Sequence, residues 1–468
     1  MKLKDNRIIY PDNFNKVYKK ALEVLSEIIV EGAVKYPACI KASEYSENNG
    51  VRDFFIGTKE NNPFIKEFSK ASLSKSQEYA ISVNDNCVLI EGYDDIGVLY
   101  GCVDFYGKYV VPNSRDSAWG SFIVNVFERE FKPCFIQSAP SSKNRGLWTW
   151  GHVIYDYRGY IDNMLKLKMN TLIIWNDFVP LNAEEIVDYA HSSGVKIIWG
   201  FPWLWDTDCS KVDLDNLEEL SDGILQYYEK NYAHLSGDGI YFQSFTELNT
   251  DNLGGRVIAD VVTDFVNITA NKIYQKYPDI ELQFGLHATS VKNRLEFIKK
   301  VDERINIIWE DCGCFPFSYV PEVIGEIDET LDLVDRISVL RGDKEKYGVV
   351  IKGLTNLDWK CFEHQTGPYI LGAASKHFKE GRIERKKPMW RYVQAGWMAQ
   401  AETVRKFINL MIDNTKGDLY LTALLEDSMF EDKLFYPVLL LGELMWDKET
   451  DLNEIIHRIA MRGDVEFA

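Results

Sequence analysis

Four times in this chain an apolar run of strand length leads into a carboxylate. Gly239-Ile-Tyr-Phe-Gln-Ser-Phe-Thr-Glu247 is the clearest case, and Arg304-Ile-Asn-Ile-Ile-Trp-Glu-Asp311 repeats it. Thr171-Leu-Ile-Ile-Trp-Asn-Asp177 and Gly348-Val-Val-Ile-Lys-Gly-Leu-Thr-Asn-Leu-Asp358 carry it in weaker form. Parallel strands buried on both faces read as near-continuous Val/Ile/Leu runs. An acid just past such a run stands at the strand's carboxyl end. In a (β/α)8 barrel all these ends meet on one face, where the chemistry takes place. The pattern predicts an α/β fold with a TIM barrel and a group of acids on its rim.

The rest of the chain fits that plan. Further strand patterns lie at Asn144–Trp150, Lys196–Pro202 and Glu281–His287, with a weak eighth near Pro368–Gly372. Helical patterns alternate with them at Tyr160–Leu167, Ala183–Ser192, Leu217–Tyr232, Arg256–Tyr277, Val291–Val301 and Pro321–Leu340, the signature of βαβ units. Eight strands in roughly 230 residues suit a barrel. A doubly wound open sheet is the rival, but no Gly-rich GxGxxG turn follows the first strand. Residues 1–135 read as a small N-terminal α/β domain, 136–385 as the catalytic barrel and 386–468 as a helical C-terminal extension. In the first of these, Asn13–Ile29 has helical spacing, and Tyr79–Gly92 reads as two strands around an Asn-Asp-Asn turn. Gly97 and Gly101 share one side of a predicted helix over Asp94–Tyr109, where small residues let a helix lie close on a sheet. Pro133–Lys143 is linker-like, and Tyr392–Asp413, Phe435–Trp446 and Leu452–Met461 make the extension helical.

Composition narrows the partners. A formal charge of −18 over 468 residues argues against nucleic acid and anionic membrane, which call for basic surfaces. No uncharged run reaches the ~18 residues that span a bilayer, and Met1-Lys-Leu-Lys-Asp carries no apolar leader. The eight cysteines are scattered, with no CxxC pair, and read as reduced thiols. A cytoplasmic protein is expected. The histidines lack HxH or HExxH spacing and no GxSxG elbow is present, so neither a metal, a cofactor nor acyl-transfer chemistry is expected.

The candidate chemistry lies in the rim acids and the tryptophans. Glu247 follows the fourth strand and reads as a general acid or nucleophile, with the general acid the first choice; a solvated loop acid or a helix N-cap partner is the plainer alternative. Glu310 and Asp311 follow the sixth. Neighbouring strand residues point to opposite sides, so one of the two faces the site as second carboxylate, with Asp311 the first choice and Glu310 the second. Asp177, Asp358 and His287 stand where they could bind sugar hydroxyls or merely cap loops. Trp148, Trp150, Trp203, Trp205, Trp309 and Trp359 fall at or just past strand ends. Indole rings stack on the C–H faces of sugars, although core filling is the ordinary role of a tryptophan. Trp309, inside a strand pattern, suits the core, while Trp203 and Trp205 read as partly exposed loop residues that touch ligand. Together these residues predict a glycoside hydrolase, exo-acting on oligosaccharides, with paired carboxylates as general acid and base. A non-catalytic carbohydrate-binding barrel is the alternative.

Two segments carry a family resemblance. Tyr79–Tyr109, with Ile90-Glu-Gly92 and Gly97-Val-Leu-Tyr-Gly101, resembles the N-terminal α/β domain shared by family 20 β-N-acetylhexosaminidases and family 67 α-glucuronidases. Asn144-Arg-Gly-Leu147 and Tyr160-Ile-Asp-Asn-Met-Leu-Lys-Leu-Lys-Met-Asn-Thr171 resemble the first βα unit of the family 20 barrel and its counterpart in family 115 α-glucuronidases. The resemblance implies a glycosidase barrel with its acid after strand four. Family 20 enzymes end that strand with an Asp-Glu pair, whereas this chain has Thr246-Glu247. The resemblance thus keeps the acid and drops the residue that orients an acetamido group. An α-glucuronidase-like layout, with Glu247 set against Glu310 or Asp311, fits better and favours inversion.

Overall fold

The structure is a computed structural model. It describes residues 5–33, 35–48, 50–85, 87–113, 132–150, 154–176, 178–204, 216–245, 251–287, 291–311, 313, 327–343, 345–355, 367–425 and 429–468, without the side chains of 150 and 327. No helix among the described residues is long and apolar enough to cross a membrane.

The N-terminal part is a six-stranded mixed sheet in the order Ala38–Lys41, Asp5–Tyr10, Val51–Gly57, Cys87–Gly92, Tyr79–Val83, Cys134–Ser138. The first four strands run parallel. Tyr79–Val83 is antiparallel to both its neighbours, and its pairing with Cys87–Gly92 is the predicted hairpin. Helices Lys16–Ala33 and Asp95–Asp104 pack on one face through Tyr18, Leu25, Ile29, Val98 and Leu99. Asp94 caps the second helix by accepting the Gly97 N–H at 2.8 Å. The small residues act as expected: a Cβ on Gly97 would stand 2.3 Å from the Glu78 carbonyl oxygen, and one on Gly101 2.6 Å from Ile90.

Eight parallel strands then close a barrel: Asn144–Trp150, Thr171–Trp175, Lys196–Gly200, Gly239–Phe242, Glu281–His287, Asn306–Glu310, Tyr347–Leu354 and Leu419–Leu425. Seven of them lie where the apolar runs predict. The eighth corrects the reading: Pro368–Gly372 forms no barrel strand, and Leu419-Tyr-Leu-Thr-Ala-Leu-Leu425 takes the place between the seventh strand and the first. Pro368–Gly372 instead covers the rim, where the Tyr369 and Gly372 carbonyls accept N–H groups of Leu181 and Tyr157. The described part of the C-terminal region is otherwise mainly helical, with one short parallel pairing of Leu434–Phe435 with Val465–Glu466. Lys376–Asn414 contains Pro388 and breaks at Gln400, where the backbone leaves helical geometry. It buries Trp390, Val393, Trp397, Val404, Phe407 and Met411 against the barrel wall. Tyr436–Trp446 is buried on nearly every side.

The two parts meet at the amino-terminal end of the barrel, around buried charges. Lys168 ends the helix Tyr157–Lys166 in the left-handed region (φ 54°). Its Nζ lies 2.9 Å from Asp104 Oδ1 and 4.8 Å from the centre of the Trp446 ring. The Tyr79 hydroxyl donates to the other Asp104 oxygen. Burial pushes the Asp104 carboxyl up. Lys168 and then Lys108 pull it down and prevail, leaving it far below the usual carboxylate range. Arg145, fully buried, has its guanidinium carbon 4.9 Å from the centre of the same Trp446 ring and donates to Gln77 Oε1 at 2.7 Å.

Lys168→Met should leave Asp104 buried without its closest cation, with Lys108 at 3.5 Å and the more distant charge of Arg462 remaining. The expected cost is about 3 kcal/mol, the low end for breaking a buried pair. Lys196→Met, which removes a half-exposed partner of Glu281, should cost at most about 1 kcal/mol. Urea unfolding of the two variants checks the contrast; equal costs would contradict it.

Candidate active site

Alternation along each strand sorts side chains to the two sides of the barrel wall. In the sixth strand Ile308 belongs to the cluster inside the ring, with Trp148, Trp175, Tyr241 and Val350, while Ile307 and Trp309 belong to the core between barrel and helices. Glu310 therefore faces inward and Asp311 does not. The same count turns Gln243 inward after Tyr241, His287 after Gly285 and Lys352 after Val350. These residues stand at the carboxyl ends of strands four to seven, and His287 pairs in register with Glu310.

Glu310 is 1% exposed and is held by hydrogen bonds from the fourth and seventh strands. Tyr241 Oη donates to its Oε1 at 2.6 Å, Gln243 Nε2 donates to the same oxygen, and Lys352 Nζ donates to Oε2 at 2.9 Å. Burial raises the carboxyl. Lys352 and His287 by charge, then the hydrogen bonds from Lys352 and Tyr241, lower it further, so it lies below its ordinary value and is ionised at neutral pH. Burial, with the charge of Glu310, pushes the Tyr241 phenol well above its ordinary value, so it keeps its proton and donates. A carboxylate offers about four acceptor sites, and donors among the described residues occupy three of them. The ring of Trp148 lies beneath, 5.4 Å from Lys352 Nζ and 5.8 Å from the Tyr241 ring centre, and Trp175 meets Tyr241 edge-on at 5.9 Å. Gly285 makes the arrangement possible. A Cβ there would stand 2.4 Å from Tyr241 Oη and 2.6 Å from Glu310 Oε1.

Asp311 is fully buried on the other side of the strand, where its Oδ2 accepts the Lys352 backbone N–H at 3.3 Å. His287 is half-buried in the layer of Glu310. Trp148 lines the barrel interior. Trp203 departs from the expected loop contact: it is 0% exposed and stacks on Phe242 with ring centres 3.6 Å apart. Its backbone N–H donates to the Gln243 carbonyl, which prolongs the wall beside strand four and turns the indole toward the helices. Trp309 is likewise core, 6.3 Å from the Phe407 ring. Glu247, Asp177, Trp205, Asp358 and Trp359 lie outside the described residues, as does the side chain of Trp150. Tyr241, Gln243, Gly285 and Lys352 were not singled out from the sequence. Lys352 had a signal, since a lysine inside a buried apolar strand needs a partner.

No family model and no curated protein matches this chain. Solved structures match its fold. The GH20 β-N-acetylhexosaminidase from Streptomyces coelicolor A3(2) has a TM-score of 0.57 at 10% identity, over 99% of this chain and 93% of its own. A GH115 4-O-methyl-α-glucuronidase with specificity for decorated arabinogalactans has 0.54 at 12%, over 98% of this chain and 58% of its own. A GH138 enzyme targeting pectin rhamnogalacturonan II has 0.55 at 13%, over 97% of this chain and 65% of its own, so the chain spans less than two thirds of that enzyme. At this identity the likeness is one of fold: the chain has the barrel architecture of glycoside hydrolases.

Two outcomes follow from the packing. Trp203→Ala should cost about 3–5 kcal/mol, as for a core tryptophan; urea unfolding measures the cost, and a loss under about 1 kcal/mol would contradict the core placement. Gly285→Ala should cost about 1–3 kcal/mol by overpacking. In a Tyr241→Phe background, which removes the hydroxyl the new methyl meets, the added cost should shrink. Additive costs in that double-mutant cycle would show that the contact with Tyr241 is not what excludes a side chain at 285.

Proposed function

We propose that this chain is a glycoside hydrolase, exo-acting on oligosaccharides, with hexosaminidase-like or α-glucuronidase-like specificity. Glu247 serves as general acid. Glu310 is favoured over Asp311 as the second carboxylate, because it faces the barrel interior while Asp311 binds backbone on the other side. The observation that carries the reading is this ionised, oriented carboxylate at the carboxyl ends of the strands, above an aromatic floor. An unpartnered buried polar atom beside it, Gln243 Oε1 among the described residues, supports it. Such a group is costly unless satisfied, and a hydroxyl of a sugar is suited to satisfy it. Asp177, His287, Asp358, Trp148, Trp150, Trp205 and Trp359 are the proposed further substrate contacts.

Glycoside hydrolysis needs a protonated acid at the leaving oxygen and an ionised partner across the sugar. A carboxylate held below its ordinary value by a buried cation meets the second need; Glu247 is assigned the first. In a panel of aryl glycosides, Glu247→Gln should leave the fold intact by circular dichroism and lower kcat by roughly 10²–10⁴ on substrates with poor leaving groups. Retention of full turnover would remove Glu247 from the role. Sugar binding with no turnover by the unaltered protein would favour the non-catalytic binding barrel instead.

A further inference from the structure

Lys352 is the one charged residue in the seventh strand, Tyr347–Leu354. Its side chain is 3% exposed and its Nζ meets a Glu310 side chain that is 1% exposed. Charged or titratable groups face Glu310 from several elements. They are Lys352 from the seventh strand, Tyr241 from the fourth and His287 from the fifth. Asp311, next to it in sequence, accepts the Lys352 backbone N–H and so ties the lysine to the sixth strand. Gln243 adds an uncharged donor. Lys352 is thus anchored at its backbone by one carboxylate and at its tip by the next.

We propose that Lys352 is a positioning residue of this site, fixing Glu310 as an oriented carboxylate at the barrel's carboxyl-terminal face without itself touching the reacting atoms. Its kinetic consequence rests on the glycosidase reading; its electrostatic consequence does not. Removing the cation beside a carboxylate this deeply buried makes its charged form harder to hold. Without Lys352, burial is the largest influence on Glu310, and the carboxyl rises. If catalysis needs Glu310 ionised, the acidic limb of the kcat/KM profile then moves to higher pH.

The experiment has two arms. In the unaltered protein, carbon-13 NMR of the glutamate carboxyls, with Glu310 assigned by difference from Glu310→Gln, should show Glu310 titrating below the ordinary glutamate range. In Lys352→Met its titration should move up, out of that low position. Glu310 titrating in or above the ordinary range in the unaltered protein would overturn the proposal, as would no change in Lys352→Met. In the kinetic arm, Lys352→Met should shift the acidic limb so that activity on the acid side falls at least about tenfold, as a shift of one pH unit implies. Lys352→Arg, which keeps the charge, should restore the limb. A uniform loss at every pH, unrelieved by arginine, would mark a merely structural lysine and refute the positioning role. If Lys352→Met does not fold, the NMR titration of the unaltered protein and the Lys352→Arg profile decide. If no glycoside in the panel is cleaved, the glycosidase reading fails while the NMR arm still tests the pair.

Discussion

A closed ring of eight parallel strands tolerates no slip in register, and everything else in this chain is arranged around that constraint. A shift of one residue in any strand would carry its inward side chains to the helix side. The last strand, Leu419–Leu425, is the piece that closes the ring, paired to Tyr347–Leu354 on one side and Asn144–Trp150 on the other. Inward glycines make room for the large residues opposite. Gly348 lies against Tyr420 and Ile308, and Gly285 against Tyr241 and Glu310. With parity fixed, Glu310, Lys352, Gln243 and His287 share one end of the interior.

That sharing explains how a charged pair survives in so dry a place. Bringing two ions out of water costs several kcal/mol each, and their attraction offsets this only with good geometry and further hydrogen bonds. Tyr241 and Gln243 supply those bonds on one carboxylate oxygen and Lys352 covers the other. A methionine and a glutamine in place of the pair would fill similar space without the desolvation cost. On stability alone the ions are a poor choice, which is why a role in the site is the better account of them.

Much of this was legible in the chain itself, and the failures have physical causes. Seven barrel strands are continuous apolar runs, and periodicity finds them. The eighth is an equally clear run, but it follows a 39-residue helix that reads as the start of an all-helical tail. The N-terminal hairpin and the close-packing role of Gly97 and Gly101 were readable because turn residues and small residues act locally. The tryptophans were harder. Trp203 and Trp148 both fall near strand ends, yet one stacks on Phe242 in the outer core and the other lines the interior. Composition cannot separate those two fates, because what decides is the parity of each residue within the closed ring. Glu310 and Asp311 were separable in kind, since neighbours on a strand diverge, but which of them turns inward depends on strand register. Lys352 was overlooked because a single lysine in a sequence says nothing about its partner 42 residues away.

Two of the buried charge clusters lie at opposite ends of the barrel, and their positions suit different work. Lys168, Asp104 and Arg145 gather around Trp446 where the first two barrel strands begin, with Asn170 Oδ1 accepting the Arg145 backbone N–H at 2.9 Å. There they join the N-terminal sheet, the barrel and the C-terminal helix, and Leu165 and Trp446 carry the apolar core across the same seam. In barrels of this kind the amino-terminal face serves stability and the carboxyl-terminal face serves chemistry. The seam can therefore be made of tightly satisfied ions and stacked rings without restricting access to the other end. Lys352 and Glu310 stand at the far end, on strand termini rather than on loops, so their orientation is fixed by the barrel wall. A carboxylate placed on rigid strands keeps its geometry when a ligand arrives, which is what electrostatic stabilisation of a developing charge requires.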